Sequence, residues 1–82
     1  MKDGKKMSYN DVLGAYVGKK VTFRFMAMNL QNTHSMEKIE GRLSKGPVYY
    51  TVHGERAVMM LVPGASGEIE AGGQKYDLRD LV

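Results

Sequence analysis

Glycine and proline cut this chain into short runs in which apolar and polar residues alternate, and few architectures accept that pattern. The breaks fall at Gly18, Gly41, Gly46-Pro47, Gly54, Pro63-Gly64, Gly67 and Gly72-Gly73. Alternation with period two is the mark of a strand with one buried face. In "KKVTFRFMAM", Val21, Phe23, Phe25 and Ala27 share one face and Thr22, Arg24, Met26 and Met28 the other. The polar stretch "NLQNTHSME" predicts a loop, with the second strand starting near Met36 or Glu37. Beyond it Ile39, Gly41 and Leu43 alternate with Lys38, Glu40, Arg42 and Ser44. A glycine on the inward face of a strand marks a bend or a close backbone approach, so the bend belongs to Gly41. Pro47 has no N–H for a ladder, and "KGP" therefore reads as a turn.

The next run sets Val48, Tyr50 and Val52 against Tyr49, Thr51 and His53. "HGER" is a second turn, "AVMMLV" a strand, and "EIEA" with "KYDLRDLV" a hairpin about Gly72-Gly73. Short strands with turns about every eight to twelve residues predict a mainly β domain. Closing the sheet removes its exposed edges. The expected fold is thus a small five- or six-stranded antiparallel barrel. The predicted core is Val21, Phe23, Phe25, Ile39, Leu43, Val48, Tyr50, Val52, Val58, Met60 and Leu78.

One segment has a different period. In "SYNDVLGAYVG", Val12, Leu13, Tyr16 and Val17 fall at helical spacing, and Ser8 with Asp11 resembles a capping box. This predicts one short N-terminal helix over 9–17, stopped by Gly18. Residues 1–7 read as a flexible basic arm and 8–82 as a single small domain.

Composition bears on function mainly through charge. The net charge is +3 over 82 residues, but residues 1–46 carry nine Lys and Arg against four acids, and 47–82 three against five. A basic half suits an anionic partner, nucleic acid above all. The bland alternative is a mixed, solvated surface once the halves fold together. The chain has no cysteine, hence no disulfide framework or thiolate site. No run approaches the roughly 18 apolar residues of a membrane span, and no apolar stretch follows the first lysines as in a secretory signal. A cytoplasmic, non-membrane protein is expected.

No catalytic or cofactor motif is present. "GASG" is a turn rather than a nucleophile elbow, and the only histidines, His34 and His53, lie in separate segments. Glu68 and Glu70 on an alternating strand read as a solvated face. We expect no enzyme, cofactor or metal. The binding candidates are Lys19, Lys20, Arg24, Arg42, Lys45, Tyr49 and His53, at outward positions or turns of the first three strands. Cations beside an aromatic ring pair phosphates and stack a base.

The leading helix followed by "VGKKVTFRF" and "IEGRL" resembles the start of an Sm-like domain, over roughly residues 9–62. The resemblance implies an N-terminal helix, a strongly bent five-stranded barrel whose second strand turns near a glycine, here Gly41, and RNA ahead of DNA as ligand. The sequence departs from the family at its nucleotide site. "SKGPVYYT" stands where the family carries an aspartate and a Met-Asn pair, and "LRDLV" replaces its late Arg-Gly motif. Other small SH3-like barrels fit the strand count equally well. The expected function is non-catalytic nucleic-acid binding. The alternative is a protein-interaction or homo-oligomer assembly module using an edge strand and a methionine-rich surface.

Overall fold

The computed structural model of the chain describes residues 6–28 and 30–82, with the Met28 side chain excluded. Residues 1–5 of the expected arm, and the outward placement expected of Met28, lie outside the described residues. Helix α1 (Tyr9–Gly14) precedes β1 (Lys20–Met28), β2 (His34–Lys45), β3 (Tyr50–Gly54), β4 (Val58–Leu61), β5 (Glu68–Ala71) and β6 (Gln74–Asp77). A 3-10 turn, η1 (Leu78–Asp80), follows. The Ser8 hydroxyl accepts the Asp11 N–H at 3.2 Å, capping α1 as the sequence predicts. The helix stops three residues short of the expected end, where Gly14 weakens it and a turn leads to Gly18 at φ 86°.

All strands join one antiparallel sheet in the order β4-β3-β2-β1-β5-β6. The sheet is open, with β4 and β6 at its ends, where the spacing predicts a closed barrel. The short end strands do not pair with each other. The space beside them is occupied by α1 and the C-terminal segment. The Tyr9 hydroxyl donates to the Leu61 carbonyl. Gly64 N–H donates to the Leu78 carbonyl at 2.8 Å and Leu78 N–H to the Gly67 carbonyl at 2.9 Å. Met7, expected in the arm, bridges Leu81, and its backbone bonds Asp80 and Val82 at 2.9 Å each.

The core joins α1, the sheet and the C-terminal turn: Tyr9, Leu13, Val21, Phe23, Leu43, Tyr50, Val52, Leu61, Ile69, Ala71, Leu78 and Leu81 are buried. Phe25 and Ile39 pack against it only in part. Three expected core residues are outside. Val48 is 75% exposed because Pro47 delays β3 until Tyr50. Val58 and Met60 are 57% and 60% exposed because β4 turns Met59 and Leu61 inward. The pairs Val52↔Met59 and Tyr50↔Leu61 set that register, and a one-residue slip exchanges the two faces of a strand. β2 also starts earlier than predicted, at His34, because its ladder with β1 runs unbroken from Lys20↔Arg42 to Met28↔His34.

Gly41 is where the backbones come closest. It pairs with Val21 on one side and Gly54 on the other. A Cβ at Gly41 would lie 2.1 Å from the His53 carbonyl oxygen. The predicted close approach is therefore present, and it holds the start of the β2–β3 ladder beside Arg42 and His53.

Candidate nucleic-acid interface

The outward face follows from the ladders. On β1 it presents Lys20, Thr22, Arg24 and Met26. On β2 it presents Arg42, Glu40, Lys38 and Met36. Lys20 stands opposite Arg42, and Arg42 opposite His53, so three sequence-distant cationic or ionisable residues form one row across β1, β2 and β3. Val58 on β4 ends the row. Lys20, Arg42 and His53 are all exposed and line a shallow depression of about 290 Å³ whose fourth wall is Gly41.

Three neighbouring contacts order the row. Arg42 Nη1 donates to the Gly18 carbonyl at 2.9 Å, which fixes the guanidinium beside the entry to β1. Ser44 and Thr51, opposite one another in the next row, have hydroxyls 3.0 Å apart, and Thr51 Oγ1 lies 3.1 Å from His53 Nε2. A line of hydroxyls therefore flanks the cations on one side. Glu40 and Glu70, flanking Thr22, lie on the other.

The remaining candidates stand elsewhere. Arg24 is engaged: its Nη1 lies 2.6 Å from Glu70 Oε1, and Glu68 is its register partner on β5. The bonded guanidinium and its positive charge hold the Glu70 carboxyl below its usual range. Lys45 pairs with Tyr50 and takes the opposite parity from Arg42 along β2. Lys19 precedes β1, with its carbonyl accepting Leu43 N–H at 3.0 Å. Both are exposed at the sheet margin, outside the row. Tyr49 is half-buried in the bend before β3, where its carbonyl accepts Gly46 N–H at 3.0 Å.

A second depression, of about 350 Å³, lies across β1, bordered by Arg24, Phe25, Met26, Met36, Glu68 and Asp77. The arginines at this depression are paired with carboxylates, Arg24 with Glu70 and Arg79 with Asp77 at 2.9 Å. That leaves it without the free positive charge that the Lys20 row offers. Sequence reasoning did not anticipate Ser44 and Thr51. Their signal was available: both sit at outward positions of runs whose alternation was legible.

Among the described residues no three His, Cys, Asp or Glu side chains gather as metal ligands. Among the described residues every charged side chain is at least partly exposed. No helix among them is long and apolar enough to cross a membrane. No family model, curated protein or solved structure matches the chain.

Proposed function

We propose that this chain is a small, non-catalytic nucleic-acid-binding protein whose outward sheet face contacts the phosphate backbone, RNA ahead of DNA. The observation that carries the reading is the alignment of Lys20, Arg42 and His53 on three adjacent strands beside an open depression. Lys19 and Lys45 at the margin add to the local positive potential, whereas Arg24, neutralised by Glu70, does not. Backbone contact of this kind is insensitive to sequence and releases condensed counterions. The two permanent cations, Lys20 and Arg42, give a log–log salt slope of roughly −1.4 on single strands. The test is a titration of single-stranded RNA and DNA at two salt concentrations with the parent and the Lys20→Ala/Arg42→Ala variant. Absent low-salt binding, or equal binding by the variant, rejects the reading.

The strand order β4-β3-β2-β1-β5 behind a leading helix supports reading the sheet as an SH3-like or Sm-like barrel variant. A second reading rests on Met26 and Met36, exposed and directly opposite one another on β1 and β2. Pliable thioether surface of this kind suits a protein partner or self-association. Its test is the mass in solution at high concentration and the effect of Met26→Lys/Met36→Lys on it.

A further inference from the structure

The cation row contains one histidine, His53. Histidine gains its charge between about pH 8 and pH 5. Every other cation of the row is permanently charged there. His53 faces Arg42 on β2, with Lys20 beyond it on β1. The other ionisable residues around it are Glu40, diagonal to it on β2, and Glu55 and Arg56 in the following turn, while its β4 neighbour is the apolar Val58. Charging His53 thus adds a positive charge beside Arg42 and Lys20, with Glu40 and Glu55 on its flanks.

The hydroxyl line adds a second consequence. A neutral imidazole nitrogen either accepts or donates a hydrogen bond, but an imidazolium only donates. With His53 charged, Nε2–H must donate to Thr51 Oγ1, across the 3.1 Å contact. Thr51 then donates its own proton to Ser44 Oγ, 3.0 Å away. The Ser44 O–H is left to donate to a ligand. Protonation therefore contributes a cation and removes the tautomer in which Nε2 accepts, leaving the orientation of the hydroxyl chain whose far end is a donor.

Building on the proposed backbone-binding role, we infer that the Lys20–Arg42–His53 row is a proton-linked phosphodiester site, in which the Ser44–Thr51–His53 chain couples the charge of the imidazole to anion binding. A phosphodiester keeps one negative charge throughout this range, so any pH dependence belongs to the protein. The sign follows from linkage: the anion favours the protonated form, and affinity rises as pH falls. One added unit charge about 4 Å from the phosphate, in a solvated setting, corresponds to about a five-fold gain.

The experiment is calorimetric titration of oligouridylate at constant ionic strength, at about pH 8 and about pH 5.5. Alongside it, the imidazole of His53 is titrated by proton NMR with and without dimethyl phosphate. The parent and His34→Gln gain about five-fold in affinity on acidification, Thr51→Val gains less, and His53→Gln gains nothing. If His53→Gln keeps the full gain, the inference is overturned. If oligouridylate fails to bind at either pH but dimethyl phosphate raises the His53 midpoint, the anion site stands and the nucleic-acid reading fails. If the midpoint does not move, the proton-linked site is overturned as well.

Discussion

Removing one oxygen, in Tyr9→Phe, tests how the ends of the sheet are held. Tyr9 is 6% exposed, and its hydroxyl accepts the Tyr50 N–H at 2.8 Å while donating to the Leu61 carbonyl. Tyr50 and Leu61 are register partners at the end of the β3–β4 ladder. The phenol thus stands between two strands and completes a bond that their backbones would otherwise make directly. Phenylalanine keeps the ring and its edge-on contact with Tyr50, centroids 5.3 Å apart. It leaves one buried donor and one buried acceptor without their partner. Each such group costs about 1–3 kcal/mol, and partial closure of the gap recovers some of it. The expected loss is about 2–3 kcal/mol, a large share of the stability of so small a domain.

The assay is equilibrium unfolding in urea followed by far-ultraviolet circular dichroism, with the midpoint lowered and the slope unchanged. Burial, outweighing the hydrogen bond from Tyr50, also raises the Tyr9 pKa above the usual phenol value. A pKa raised on folding gives stability that is complete below the unfolded value and lost as pH climbs above it. The parent should therefore lose stability above about pH 10 more steeply than Tyr9→Phe. A variant within about 0.5 kcal/mol of the parent, with the same alkaline profile, refutes the bridging role.

Two further predictions concern register and close approach. Leu61→Ala should cost about 2–5 kcal/mol, whereas Met60→Ala should stay within about 0.5 kcal/mol, measured by the same unfolding curves; the reverse ranking would restore the inward Met60 face. Gly41→Ala places a Cβ 2.1 Å from the His53 carbonyl oxygen, with only backbone to yield. It should cost at least about 1–3 kcal/mol and weaken anion binding by displacing His53 from Arg42, read out by thermal unfolding and by titration; a neutral outcome contradicts the close approach.

The legible part of this fold was the part with clean alternation. Val21 and Phe23 in β1, and Leu43 in β2, could be assigned to the core because each is flanked by polar residues. "AVMMLV" has no polar residue to mark its outer face, so its direction rested on the ladder with β3, a long-range fact, and the inward pair became Met59 and Leu61. Tyr9, Leu81 and the space they fill beside the sheet ends were invisible for the same reason: their burial depends on how far the sheet curls. Of the site, Arg42 and His53 were identified as outward, but that they share a row with Lys20 is a matter of register. Arg24 looked equivalent to Arg42 in sequence. Only the β1–β5 pairing shows that Glu70 occupies it.

In the proposed role, the outward face binds a phosphate backbone at the Lys20 row and not elsewhere. Amide chemical-shift mapping with single-stranded oligouridylate addresses it residue by residue. Shifts are expected at Lys20, Arg42, Ser44, Thr51 and His53, fading as salt is added, with Arg24 and Met26 unmoved. Shifts centred on Arg24, Met26 and Met36, or no shifts at low salt, would contradict it.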